Sequence, residues 1–342
     1  MKNKLIAAAV AASMSAVAMA DVSITGNANY EYFHNTVGGS IESTNSEADM
    51  EVNLQVVGKT GDTSVVANFE LTQASGSDNS NGGGIDVEDL YMTTKIGDIN
   101  IKAGDFASGT TALGGEIDNG SRVFNKVDVS TTVGSAKVGY AVNSESATDN
   151  DYKASDAVVY ASMPIAGMTV SVKDNSDVST LLGISGEQSG VSFRIENKDS
   201  DSANSDVTFY EIGTKIGDLS VSYAAIDADA ANSTSTAGLI QENDSTVFAQ
   251  DAHDAGLDGI SQVTIGTSVD GTAVKLRAGT RTGGTVSSTT YQDADFMEVS
   301  ASRPLASGAT MTVTYSDWEN VAATTATKYD NQTLEIDLSV KF

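Results

Sequence analysis

The chain has no cysteine, only two prolines and only two histidines. Without cysteine, disulfide frameworks, cysteine-linked lipids and Cys-His pairs are excluded. His34 and His253 both lie in loop-like stretches, so we expect no catalytic residues, no metal site and no cofactor. Beyond the N-terminal segment no run of about 18 uninterrupted apolar residues occurs, which excludes a transmembrane helix there. The scarcity of proline leaves strand ladders unblocked, because proline lacks the N–H that a central strand donates.

Basic residues are also few, with 19 Lys and Arg against 46 Asp and Glu and a net charge of −27. Such an acidic chain excludes nucleic acid as a partner and favours cations, or surfaces that cations bridge. Acidic loop pairs such as Asp149 and Asp151 supply oxygen ligands for divalent cations such as Ca²⁺. They lack the glycine and spacing of a defined calcium loop, and solubility is the alternative explanation.

The first twenty residues are typical of a signal peptide. Lys2 and Lys4 precede an apolar stretch, and Ala18-Met19-Ala20 forms an A-x-A cleavage site. We therefore expect residues 1–20 to be removed on export and residues 21–342 to form one mature domain.

The rest of the chain alternates apolar and polar residues, which indicates strands with one apolar and one wet face. In the last strand Leu334, Ile336, Leu338, Val340 and Phe342 alternate with polar residues. A closed barrel is the only kind of sheet that satisfies every backbone hydrogen bond in lipid. For an exported chain, this pattern predicts an all-β fold, a transmembrane antiparallel β-barrel in an outer membrane.

Glycine-containing tight turns divide the chain into hairpins. Eight turns alternate with longer polar stretches, as expected for short turns at one rim and long loops at the other. With the first and last runs, the eight hairpins give 18 strands. Omission of the least regular hairpin, around Gly186 to Gly190, gives 16. The eight turns lie at Thr60 to Asp62, Gly97-Asp98, Gly134-Ser135, Pro164 to Gly167, Gly186 to Gly190, Gly217-Asp218, Asp270-Gly271 and Ala306 to Gly308.

Strand parity assigns charged residues to the inside of the barrel. Val138 and Tyr140 face outward, so Lys137 faces inward, because Lys or Arg on the lipid face costs about 2–4 kcal/mol near mid-depth. The predicted pore-lining cations are Lys102, Lys126, Lys137, Lys275, Arg277 and Arg281. The predicted inward acids include Glu51, Glu70, Asp128, Glu298, Glu335 and Asp337. Aromatic residues, among them Tyr30, Tyr140, Tyr223, Tyr315 and Trp318, are expected in interfacial girdles.

Three segments carry a resemblance to a known family: the mature start Asp21 to Ala28, the hairpin Lys95 to Asp105, and the terminal Phe342. In this order they resemble the Gram-negative general diffusion porins. The resemblance implies a barrel of sixteen strands, a homotrimer, and a third extracellular loop that folds inward. Phe342 resembles the signal that the outer-membrane assembly machinery reads.

By the same resemblance, the segment Ala107 to Asn125 corresponds to the inward-folded loop. The pore constriction is then expected at Glu116, Asp118 and Arg122. The two carboxylates at the narrowest point imply a weak preference for cations.

The predicted function is a water-filled channel in the outer membrane for passive diffusion of small hydrophilic solutes and ions. Its partners are outer-membrane lipid, the permeating solutes, further copies of the chain and the assembly machinery. The alternative is an acidic secreted or surface β-protein that binds a ligand or another cell. That alternative does not require an apolar face on every strand.

Overall fold

The computed structural model describes residues 21–37, 43–72, 84–107, 122–142, 144–146, 149–152, 157–176, 179–201, 206–228, 257–286, 289–319 and 330–342. Within these ranges, eighteen strands form one closed antiparallel sheet. None of the ranges contains a helix long and apolar enough to span a membrane. The predicted signal peptide, residues 1–20, lies outside the described residues.

In chain order the strands are β1 (Asp21–Val37), β2 (Ser43–Thr60), β3 (Thr63–Thr72), β4 (Ile85–Ile96), β5 (Ile99–Ala107), β6 (Arg122–Val133), β7 (Ala136–Val142), β8 (Val158–Ile165), β9 (Met168–Asn175), β10 (Ser179–Gln188), β11 (Val191–Ser200), β12 (Val207–Ile216), β13 (Leu219–Ala228), β14 (Leu257–Val269), β15 (Thr272–Gly283), β16 (Ala294–Pro304), β17 (Thr310–Glu319) and β18 (Asp330–Lys341). Two small ribbons lie in the connections, Ser144–Ser146 with Asp149–Tyr152 and Thr285–Val286 with Thr289–Thr290.

The barrel closes where β1 pairs with β18. This seam runs from Asn27 opposite Lys341 to Val37 opposite Asn331. Just beyond it, Gly26 and Phe342 exchange two backbone hydrogen bonds of 2.9 Å. Because the first and last strands pair, the sheet has no open edge, as a wall in lipid requires.

The count of eighteen strands confirms the number obtained from the turns, and the sixteen implied by the family resemblance is wrong. The doubtful hairpin exists, since β10 and β11 pair from Ser179 opposite Ser200 to Gln188 opposite Val191. Its turn places Ser189 at φ 53° and Gly190 at φ 79°, a left-handed conformation that glycine adopts without strain. The connection before this hairpin, residues 176–178, is shorter than expected for a rim with long loops. It suffices because the strands that it joins pair directly, with Asn175 opposite Ser179.

The two rims of the barrel differ. All eight predicted short turns join consecutive strands at one rim, which also holds the start of β1 and the end of β18. We call this the short-turn rim. The opposite, long-connection rim joins β3 to β4, β5 to β6 and β13 to β14 through residues 73–84, 108–121 and 229–256.

The outward face of the wall is apolar. On β18, Leu334, Leu338 and Val340 are 36–42 % exposed, and exposed apolar side chains also occur on most of the other strands. Tyrosines at positions 30, 140, 210, 223 and 315 are 36–46 % exposed on this outward face, and their place in interfacial girdles stays a prediction. Trp318 corrects the prediction, because it lies an odd number of residues from Tyr315 and is buried on the inner face.

Candidate functional site

An acidic sector lines one side of the barrel, on the inner faces of β18, β1, β2 and β3. Glu31 is the cross-strand partner of Asp49 on one side and of Asp337 on the other. Their neighbours Tyr30, Met50 and Leu338 are exposed on the outer face, which directs the three carboxylates inward. The same parity places Glu51, Glu70 and Glu335 on this inner face.

Amide side chains donate hydrogen bonds to carboxylates in and beside the acidic sector. Asn53 donates a hydrogen bond to Glu51, and Gln55 donates one of 3.1 Å to Asn68. Asn68 in turn donates one of 2.7 Å to Asp89 on β4. Amide donors hold carboxylates in place without cancelling their charge. Among the described residues, no ion pair joins Lys or Arg to Glu31 or Asp337.

Next to the acidic sector, two lysines lie against aromatic rings. Lys102 Nζ is 3.9 Å from the ring centre of Tyr91 and 4.1 Å from that of Phe106. Lys126 Nζ is 5.2 Å from the same Phe106 ring. Such contacts hold an ammonium group over the negative face of a ring and fix its position. The two lysines differ in their access to water: Lys126 is only 5 % exposed, whereas Lys102 is partly exposed.

A second fixed group connects β6, β7 and β8. The hydroxyl of Tyr160 donates to the Asp128 carboxylate at 2.9 Å, and Lys137 Nζ is 5.7 Å from the Tyr160 ring centre. The ring lies across Gly139, where a Cβ atom would overlap it. Gly139 is therefore required at this position for Tyr160 to reach Asp128.

On β15 and β16 one carboxylate serves two cations. Glu298 accepts hydrogen bonds of 2.9 and 2.6 Å from Arg277 and lies 3.9 Å from Lys275 Nζ. The bidentate geometry with Arg277 is the strong form of this ion pair. Lys275 remains about half exposed, so the three groups together present one net positive charge to the lumen.

Arg281 differs from the other predicted lining cations. Its exposure is 0 %, it donates a hydrogen bond to the carbonyl oxygen of Glu319, and it lies 5.2 Å from the ring centre of Trp318. Arg281 is therefore directed inward but packed within the protein rather than facing water.

All six predicted lining cations lie on the inner face, but the predicted constriction does not lie among the described residues. Glu116 and Asp118 fall in the segment 108–121, which lies outside the residues that the structure describes, and so does the side chain of Arg122. Their role at the narrowest point stays a prediction.

The sequence analysis missed further inner-face cations, among them Lys173 and Arg194. Arg194 lies 3.6 Å from Glu211 and 4.5 Å from the Phe209 ring centre, and Lys173 is buried. The alternation that assigned Lys137 would have found both, because each cation is out of phase with outward apolar neighbours on its strand. No group of three or more His, Asp or Glu side chains within the described ranges is arranged to hold a metal ion.

No protein-family model and no curated protein sequence matches this chain. Solved structures do match its fold. OccK2 (OpdF) of Pseudomonas aeruginosa aligns with a TM-score of 0.64 at 11 % identity, over 94 % of this chain and 98 % of that one. A BenF-like porin from Pseudomonas fluorescens Pf-5 gives 0.64 at 12 %, over 94 % and 99 %. Acinetobacter baumannii OccAB3 gives 0.57 at 10 %, over 94 % and 100 %. The chain therefore has a porin fold, as the resemblance in its sequence implied.

Proposed function

We propose that this barrel is a water-filled channel in an outer membrane, through which small hydrophilic solutes and ions diffuse passively. The observation that carries the proposal is the two-faced wall. Outside, exposed apolar side chains and tyrosines match lipid, and inside, charged and amide side chains match water. An acidic secreted or surface β-protein fits less well, because an apolar face of this extent would aggregate in water.

A weak preference for cations forms the finer part of the proposal. The acidic sector carries Glu31, Asp49 and Asp337 side by side. On the nearby strands β15 and β16, Glu298 compensates Arg277 within its ion pair, which weakens the positive charge there. Lining charge of one sign raises the local concentration of the opposite ion, and the overall net charge of −27 acts in the same direction.

The proposal also includes the setting of the channel. We place it in the outer membrane of a Gram-negative cell, exported with removal of residues 1–20, inserted by the assembly machinery and assembled as a homotrimer. Divalent cations at acidic loop pairs, such as Asp149 and Asp151, are part of the same proposal.

Recording from planar bilayers tests the channel and its selectivity together. The mature protein, refolded in detergent, is added to a bilayer that separates two KCl concentrations. We expect stepwise conductance and a reversal potential whose sign reports K⁺ as the more permeant ion. Folded barrels that give no steps would overturn the channel, whereas steps with an anion-selective reversal potential would overturn only the cation preference.

A further inference from the structure

We propose that the aqueous path through this barrel is eccentric. It follows the acidic sector of β18, β1, β2 and β3, while side chains close the opposite sector near the long-connection rim. This inference rests on the proposed channel function and adds where solutes pass and which charges they meet.

The closed sector is defined by one row of inner-face residues that we call the buried row. Its members are cross-strand partners in succession, so the row crosses six neighbouring strands from β11 to β16. Each member is between 0 and 3 % exposed. A wall residue beside open water would be accessible, so no water-filled lumen reaches this row. The members are Glu196, Phe209, Ile226, Ile260, Arg281 and Ala294.

The packing around the buried row is mainly apolar. Four of its members belong to one cluster of buried side chains, which also contains Leu181, Val207, Phe296 and Trp318. Tyr291 packs against the same cluster. Tight apolar packing of this kind excludes water and holds its members in place.

Accessibility returns along the same strands towards the short-turn rim. On β15, Arg281 is fully buried, Arg277 has a side chain 15 % exposed, and the Lys275 side chain is 47 % exposed. On β13, Ala224 is buried while Ser220, on the same face four residues away, is exposed. The closure therefore occupies only the half of this sector near the long-connection rim.

The acidic sector shows the opposite behaviour. Glu31, Asp49 and Asp337 are all partly exposed, although they lie on the same inner face of the same barrel. Two inner-face positions of this sector are buried, Asn331 and Val66. Asn331 pairs with Trp318 at the border with the apolar cluster, so its burial marks the edge of the closure.

An eccentric path has a chemical consequence. A solute that passes the long-connection half moves beside carboxylates and away from the buried Arg281. The solutes favoured are small hydrophilic cations, such as metal ions or ammonium compounds, over anions of equal size.

Cysteine accessibility tests this directly, because the chain has no cysteine and a single introduced thiol is unique. We choose Asn29→Cys in the acidic sector, Ala224→Cys in the closed sector, and Ser220→Cys as the accessible position on the same strand and face as Ala224. The probe is the cationic reagent 2-(trimethylammonium)ethyl methanethiosulfonate. It forms a mixed disulfide with the thiolate and releases methanesulfinate.

In the folded protein, we expect the thiols at positions 29 and 220 to react, and the thiol at 224 to react at least about tenfold more slowly. Labelling is read as a mass shift, and heating in SDS must make all three thiols reactive. If Ala224→Cys does not fold, Ala294→Cys in the buried row replaces it. Rapid labelling at 224 or 294, or none at 29, would overturn the eccentric path. Because labelling needs no current, it remains informative even if the bilayer experiment overturns the channel.

Discussion

A single arginine placed on either face of β18 separates the lipid side of the wall from the lumen side. Leu338 lies between Ile336 and Val340 in the row of apolar side chains that this strand directs outward, and it is 42 % exposed. Ser339, the next residue, is directed inward and pairs with Asn29 across the seam. Leu338→Arg and Ser339→Arg therefore add the same side chain to the same strand, in lipid and in water respectively.

The expected difference follows from the cost of a charge in hydrocarbon. Arginine on the lipid face costs about 2–4 kcal/mol near mid-depth and close to nothing in a wet lumen. Since about 1.36 kcal/mol corresponds to a factor of ten, the folding equilibrium of Leu338→Arg should fall by a factor of roughly 30 to 900. Ser339→Arg should stay close to the parent protein.

Urea titration of the protein folded into lipid vesicles measures this difference. Trp318 is the only tryptophan, so its fluorescence reports folding, and the shift in gel mobility on heating gives a second readout. A larger loss of stability for Ser339→Arg would show that the faces of β18 have been assigned the wrong way round. Equal losses of stability for both variants would contradict a difference between a lipid face and a lumen face.

Three further predictions concern the seam, the lumen charge and assembly. Deletion of Phe342 removes two seam hydrogen bonds with Gly26, each worth about 0.5–1.5 kcal/mol. The deletion should therefore lower the heat-modifiable fraction on gels more than Phe342→Ala does. Equal fractions for the parent protein and both variants would contradict this role of the seam. Glu298→Gln removes the carboxylate that Arg277 and Lys275 share, and it should move the reversal potential towards anions further than Glu187→Gln at the short-turn rim does. The reverse order would exclude this role for Glu298. Unboiled protein should migrate as an oligomer that collapses on heating, whereas a monomer band indifferent to boiling would argue against the homotrimer.

The wall of the barrel could be predicted from the sequence because its signals are local. A period of two decides which side of the sheet a residue such as Lys137 faces, and a glycine such as Gly190 marks a turn without reference to distant residues. The strand number followed from the turns alone. The resemblance to a sixteen-stranded family gave the wrong strand number. It reflects features that porins share and does not take account of the extra turn at Ser189 and Gly190.

The filling of the lumen could not be predicted in this way. Parity places Arg281 and Lys126 inside but does not distinguish an inside filled with water from one filled with side chains. That distinction depends on contacts between many strands, as in the buried row from β11 to β16. Trp318 shows the same limit. Its amphipathic ring suits an interfacial girdle and a packed interior equally well, and only the register of its strand determines that the ring faces inward.

The seam between β1 and β18 also determines the order in which this fold can form. Every other strand pair joins neighbours in the chain, so those hairpins are contacts of low sequence separation that form early. The pairing of Gly26 with Phe342 joins the two ends of the described chain, and the entropy lost in closing a loop grows with its length. Closure is therefore the last step, and until then the outer strands of the growing sheet expose unpaired edges that invite aggregation.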